Sequence, residues 1–126
     1  MTQAQTAALQ KADSAHYLHP FTDHKDLASK GARIITRAEG VHVWDSNDNK
    51  ILDGMSGLWC VNMGYGQKSL VDAATKQMTI LPFYNSFFNT SVEPAIELAA
   101  LLAEISLPQF IHVFYSSSGS ESNDTI

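Results

Sequence analysis

The sequence contains a single cysteine, Cys60, among its 126 residues. One thiol cannot form an intrachain disulfide, so the fold has no covalent cross-link of this kind. Because cysteine-poor chains are typical of reducing compartments, we expect a cytoplasmic protein. The sequence indicates no base beside Cys60, which favours an inert, packed thiol over a nucleophile.

Basic residues and long apolar runs are also scarce. Eight Lys and Arg residues, scattered singly, stand against 13 Asp and Glu residues, for a net charge of −5. This balance argues against a nucleic-acid surface and against a patch for anionic membranes. No apolar run approaches the roughly 20 residues of a spanning helix, and residues 1–12 lack the apolar segment of a secretory signal. We therefore expect neither nucleic acid nor membrane as a partner.

Clusters of metal ligands are missing as well. His16 and His19 have no further ligands at a workable spacing for zinc. The aspartates at positions 45, 48 and 53 lack the spacing of a calcium loop, and we interpret them as turn residues. The sequence predicts no metal site.

The N-terminal segment, residues 1–66, is predicted to contain a small antiparallel meander. Alternating apolar and β-branched residues indicate strands at 33–37, 41–45 and 50–53, with a hairpin at Asn47 and Asp48. Residues 1–15 are either a frayed helix or a tail, and residues 23–30 form a short helical turn that Gly31 ends. Between residues 54 and 66 four glycines predict an irregular loop, because glycine permits positive φ and close backbone approach.

The second segment, residues 67–126, is predicted to begin a larger α/β domain. Apolar periodicity indicates helices at 67–81 and 93–105, and the second is apolar on more than one side, which predicts deep burial. Ser91 is the predicted N-cap of that second helix, with Pro94 in its first turn. An aromatic connector spans residues 82–90, and residues 110–115 are predicted to form a strand.

A Ser/Gly-rich loop at residues 117–121, named here the phosphate loop, follows this strand and precedes a predicted helix start. The first amides of a helix have no internal partners, and the helix dipole adds positive charge there. Gly119 lets the backbone approach a ligand, so a phosphate is the natural occupant. The alternative is a plain turn in which serines cap the helix. No Gly-Lys-Ser/Thr ending and no dinucleotide glycine spacing are present, which disfavours a nucleotide.

The stretch from Phe114 to Thr125 resembles the phosphate-loop motif of class III pyridoxal-phosphate-dependent aminotransferases. It is most similar to the ω-transaminase branch, which uses amines or diamines with pyruvate. One departure is Ser122, where the motif more often has alanine. Further similar segments follow in order along the chain: residues 19–22, 31–33, 39–41, 52–55, 57–62, 64–66 and 81–85.

The resemblance implies the N-terminal part of the type I pyridoxal-phosphate fold, an α/β large domain with a smaller domain, built as a homodimer. It also implies pyridoxal 5'-phosphate as cofactor. By this resemblance Ser118, Gly119 and Ser120 hold the cofactor phosphate. An apolar substrate pocket comprises Phe21, Leu58, Trp59 and Phe87, with Tyr84 and Phe88 as weaker candidates.

The resemblance assigns no catalytic residue to this chain. The lysine that binds the cofactor lies far C-terminal of the phosphate loop in the family, and none of the six lysines here has its context. The implied reaction of the complete chain moves an amino group from an amine donor to a keto acid, pyruvate. Two alternatives stay open: another reaction on the same scaffold, such as an aminomutase or a decarboxylase, or an inactive truncated product.

Overall fold

The computed structural model describes residues 1–126, which divide into two units, Met1–Thr75 and Lys76–Ile126. The first unit begins with helix α1, Gln3–His16. Thr2 and Gln5 form a reciprocal capping box, in which each side chain accepts the other residue's backbone amide. The N-terminal stretch is therefore a capped helix. Helix α2, His24–Lys30, is capped by Asp23 and ends at Gly31, as predicted.

A three-stranded antiparallel sheet follows, in the order β1 (Ile35–Glu39), β2 (His42–Asp45) and β3 (Lys50–Leu52). The predicted meander is confirmed. The Asp45 carboxylate closes the β2–β3 turn by accepting the backbone amides of Asn47 and Asn49 at 2.9 and 3.0 Å. These hydrogen bonds hold the pKa of Asp45 below its usual value, the side-chain amide of Asn49 being the largest cause.

Four helices complete the chain: α3 (Ser56–Trp59), α4 (Lys68–Ile80), α5 (Glu93–Ile105) and α6 (Gly119–Thr125). Helices α4 and α5 fall where the apolar periodicity predicts them. The prediction of Ser91 as N-cap is wrong. The cap position of α5 is Val92, whose carbonyl accepts the amides of Ala95 and Ile96 while its side chain makes no cap bond. Glu93 and Pro94 begin the helix one residue later than the serine requires.

The predicted strand at residues 110–115 does not form in this chain. Only the amide of Phe110 in this segment bonds another backbone group, the carbonyl of Leu107. A strand requires a neighbour that takes up its amides and carbonyls, and all three strands of the chain belong to the meander. The segment has the composition of a buried parallel strand without a partner strand beside it.

Large apolar side chains of this chain are not buried. The buried residues are polar: Thr6, Asp45 and Ser46. Along α5, Leu101 is 52% exposed and Ile105 is 70% exposed, so the prediction of deep burial is wrong for this chain. The apolar periodicity marks the faces that are suited to packing, while the residues described here do not cover them.

Candidate functional site

Within the glycine-rich segment, the four residues of α3, Ser56–Trp59, form a single left-handed turn, called the left-handed turn below. All four residues have positive φ, namely 49° at Ser56, 58° at Gly57, 61° at Leu58 and 67° at Trp59. The amide of Cys60 closes the turn on the carbonyl of Ser56 at 2.9 Å. For residues other than glycine a left-handed conformation costs roughly 1–2 kcal/mol each. Three of the four positions carry this cost, so other interactions must hold the turn.

Besides the backbone bond from the amide of Trp59 to the carbonyl of Met55 at 2.9 Å, the carboxylate of Asp53 supplies two of those interactions. Its Oδ1 accepts the amide of Met55 at 3.2 Å, and its Oδ2 accepts the amide of Gly57 at 2.7 Å. The hydroxyl of Tyr65 donates to the same Oδ2 at 2.6 Å. The bond from Tyr65, followed by that from Gly57, holds the pKa of Asp53 below its usual value. The same bond raises the pKa of Tyr65, since the phenol proton is shared with a carboxylate.

Both partners of this pair are fastened to the meander. The amide of Asp53 donates to the carbonyl of Val41 at 2.9 Å. Tyr65 and Gly40 exchange two backbone hydrogen bonds, of 2.7 and 3.1 Å. Backbone bonds at Asp53, before the left-handed turn, and at Tyr65, after it, therefore attach this segment to the β1–β2 connection.

Gly57 is required by its surroundings as well as by its φ. A Cβ at this position would lie 2.8 Å from Cγ2 of Val61 and 3.1 Å from the hydroxyl oxygen of Tyr65. The distance to Val61 is shorter than a normal contact of about 3.5–4.0 Å between carbon atoms, and the distance to the Tyr65 oxygen is also tight. The turn closes tightly around Gly57, next to the bond between Tyr65 and Asp53.

The left-handed turn presents two of the predicted pocket residues side by side. Leu58 is 60% exposed and Trp59 is 81% exposed. Cys60, which follows them, is exposed, so the prediction of a packed thiol is wrong for this chain because no described residue covers it. Phe21 belongs to the same unit, is fully exposed and has a φ of 50°.

Phe87, the fourth predicted pocket residue, belongs to the second unit. It packs edge-to-face against Phe88, with ring centroids 6.3 Å apart. The side chain of Asn85 accepts the amide of Phe87 at 2.9 Å, and the hydroxyl of Thr90 donates to the carbonyl of Phe87 at 2.6 Å. The aromatic connector is therefore an ordered loop, and it presents Phe87 at 70% exposure.

The phosphate loop leads into α6 with Ser118 as its N-cap. The Ser118 hydroxyl oxygen accepts the amide of Glu121 at 3.2 Å and keeps its own proton for another acceptor. The carboxylate of Glu121 accepts the amide of Ser117 at 2.9 Å, which occupies that donor. The serine cap of the second alternative is therefore present, and it leaves other donors of the loop unused.

The unused donors are the amides of Gly119 and Ser120, at the first two positions of α6. Amides at these positions have no carbonyl within the helix to bond. The Ser120 hydroxyl adds a donor, and a Cβ at Gly119 would meet nothing within 4 Å, so the space beside the backbone is open. Amides and hydroxyls at a helix N-terminus are donors of the kind that bind phosphate in proteins, and the phosphate site stays a prediction.

Comparison with known proteins identifies the family. The sequence profile described as "Aminotransferase class-III" matches residues 26–126. The chain belongs to the class III aminotransferases. It is 56% identical over 126 residues to a putrescine–pyruvate aminotransferase from Pseudomonas aeruginosa, which covers 100% of this chain and 28% of that protein. The chain thus spans between a quarter and a third of the length of this relative.

Solved transaminase structures share the fold. An (S)-enantioselective ω-transaminase from Thermomicrobium roseum superposes with a TM-score of 0.88 at 44% identity, over 94% of this chain and 27% of that one. An ω-transaminase from Pseudomonas jessenii in complex with PMP gives 0.84 at 37% identity, over 93% and 26%. The predicted fold class, the N-terminal part of the type I pyridoxal-phosphate fold, is confirmed. The cofactor of this class is pyridoxal phosphate, which agrees with the predicted cofactor.

Two further features bear on the predicted site classes. No three His, Cys, Asp or Glu residues lie close enough together to hold a metal ion. His19, considered above as a ligand, contacts the carboxylate of Asp13 at 2.9 Å. None of the helices is long and apolar enough to cross a membrane.

Sequence reasoning missed the wider role of Asp53 and the role of Tyr65. Asp53 is a turn residue, as predicted, but its carboxylate also organises the segment that carries Leu58 and Trp59. An aspartate whose side chain accepts the amide two residues ahead is a known turn-forming arrangement. That signal was available at Asp53, whereas nothing in the sequence pairs Asp53 with Tyr65.

Proposed function

We propose that the complete protein transfers an amino group from an amine or ω-amino compound to pyruvate, using pyridoxal phosphate. The observation that carries this proposal is the phosphate loop, whose unused donors lie at Gly119 and Ser120 within the matched part of the chain. The similarity to a putrescine–pyruvate aminotransferase supports both the amine donor and the keto-acid acceptor.

The phosphate loop binds one end of the cofactor in this proposal. The amides of Gly119 and Ser120 and the hydroxyls of Ser118 and Ser120 donate to the phosphate oxygens. The α6 dipole adds favourable charge at the same place. The bound cofactor supplies the carbonyl carbon that takes up the amino group and the ring that withdraws electrons from it. None of the lysines of this chain is assigned a catalytic role.

The substrate pocket is the second part of the proposal. By the resemblance to the family, we propose that Phe21, Leu58, Trp59 and Phe87 contribute apolar side chains that bind the carbon skeleton of the amine and exclude water in the complete protein. Tyr84 and Phe88 are weaker candidates for the same wall. We further propose a homodimer in the cytoplasm, which rests on the resemblance to the family and on the single cysteine.

Spectroscopy of the purified full-length protein tests this function. We expect the cofactor absorbance to shift when a diamine is added and to return when pyruvate follows, because the amino group first enters and then leaves the cofactor. A decarboxylase would instead release carbon dioxide from an amino-acid substrate without needing pyruvate, and an aminomutase would return an isomer of its amino donor. Either outcome, or a protein that retains no cofactor, would contradict the proposal.

A further inference from the structure

We propose that Asp53 and Tyr65 are positioning residues that orient Leu58 and Trp59, and thereby set which amines the complete enzyme accepts. This inference rests on the proposed function, because it concerns the selectivity of the proposed pocket. The pair is called the Asp53–Tyr65 clamp below. Its two members contact the left-handed turn and the meander, and neither belongs to the proposed pocket wall.

The left-handed turn is not held by the packing of its own side chains. Leu58 and Trp59 are 60% and 81% exposed, so their packing within this unit does little to fix the backbone that carries them. The four consecutive residues of the turn nevertheless all have positive φ, and only one of them is a glycine. A backbone of this kind persists only where its surroundings over-determine it.

The clamp binds the backbone of the left-handed turn directly. Asp53 accepts the amide of Met55, just before the turn, and the amide of Gly57, the second residue of the turn. The next two residues along the backbone are Leu58 and Trp59. A displacement of the Gly57 amide therefore moves the backbone that carries Leu58 and Trp59, the two side chains of the proposed pocket.

Tyr65 fixes the orientation of the Asp53 carboxylate. Its hydroxyl donates to Oδ2, the same oxygen that accepts the Gly57 amide. Backbone bonds to Gly40 fix Tyr65 on the meander, so the carboxylate is aimed from a rigid element. Without the hydroxyl, Oδ2 is free to turn towards water, and the bond to Gly57 weakens.

The full-length holoenzyme with Tyr65→Phe tests the clamp, because this change removes one hydroxyl and keeps the ring. The control is Tyr17→Phe, since Tyr17 is 62% exposed and lies outside the turn and the phosphate loop. Two quantities are measured for each protein. The first is the ratio of kcat/KM for a bulky aryl amine to kcat/KM for a short aliphatic amine, with pyruvate as acceptor. The second is the hydrogen-exchange rate of the amides of Met55 and Gly57 without substrate.

We expect Tyr65→Phe to change the ratio by at least about threefold, because it removes a hydrogen bond to a charged carboxylate, which contributes more than an ordinary neutral one. The change should come mainly from KM for the bulky amine, with kcat for the small amine and the cofactor absorbance preserved. The amides of Met55 and Gly57 should exchange several-fold faster than in the wild type. Tyr17→Phe should leave both quantities unchanged.

An unchanged ratio in Tyr65→Phe would overturn the inference, whether or not the two amides exchange faster. Unchanged exchange rates would overturn it as well, because the clamp would then not hold the turn. Absence of amino transfer in the wild-type enzyme would instead contradict the proposed function. The exchange rates require no turnover, so the two failures are distinguishable.

Discussion

Replacing Gly57 by alanine is the most informative perturbation of the left-handed turn. The added Cβ would lie 2.8 Å from Cγ2 of Val61, so one of these groups must move by roughly 0.7 Å or more to reach a normal contact. Overpacking of this kind costs about 1–3 kcal/mol. The positive φ of 58° adds about 1–2 kcal/mol for a residue with a Cβ. We therefore expect Gly57→Ala to lower the free energy of unfolding by about 2–5 kcal/mol.

Gly66→Ala is the matched control for this prediction. Gly66 has a φ of 72°, but a Cβ there would meet nothing within 4 Å. It therefore carries the conformational cost without the overpacking cost. Denaturant titration of the full-length protein should show Gly57→Ala to be less stable than Gly66→Ala by about 1–3 kcal/mol. Equal destabilisation by the two substitutions would refute the close packing of Val61 and Tyr65 around Gly57.

Two further predictions concern the cofactor and pH. Gly119→Ala should weaken pyridoxal phosphate binding about tenfold or more by filling the open space beside the loop, and should change the stability of the apoenzyme by no more than about 0.5 kcal/mol. Fluorescence titration of the apoenzyme measures the first effect, and an unaltered Kd would contradict the assigned phosphate site. The clamp hydrogen bond needs the Asp53 carboxylate ionised and the Tyr65 phenol protonated. Its contribution to stability should therefore be complete between pH 3.8 and 10.0, the ordinary pKa values of the two groups. It should be lost as the pH falls through the lowered pKa of Asp53 or rises through the raised pKa of Tyr65. Ultraviolet titration should therefore show that Tyr65→Phe loses one tyrosine whose ionisation lies above pH 10.0 in the wild type, and loss of a tyrosine that ionises below that pH would count against the bond.

The local elements of this fold follow from the sequence because their causes are local. The meander is predicted by alternation around the turn at residues 46–49, and α4 and α5 by apolar spacing. Residues 110–115 show the limit of such reasoning. Their composition predicts a strand, but a strand forms only where a neighbouring strand accepts its hydrogen bonds. The same limit applies to α5, whose apolar faces are visible in the sequence while the residues that would cover them are not.

The candidate site divides in the same way. The helix start at the phosphate loop could be predicted because its capping lies within a few consecutive residues, 116–122, while the cofactor phosphate rests on the resemblance to the family. The left-handed turn could not, since positive φ at Ser56, Leu58 and Trp59 is rare for such residues and depends on Asp53 and Tyr65. Glycine content predicts that the segment is irregular, and only the structure shows which irregular conformation it takes.

Following the nitrogen atom itself tests amino transfer to pyruvate most directly. The full-length protein is incubated with a ¹⁵N-labelled diamine and pyruvate, and the products are quantified by mass spectrometry. We expect one ¹⁵N-alanine for each molecule of amine that is converted to its carbonyl product. Consumption of the amine without labelled alanine would contradict amino transfer to pyruvate.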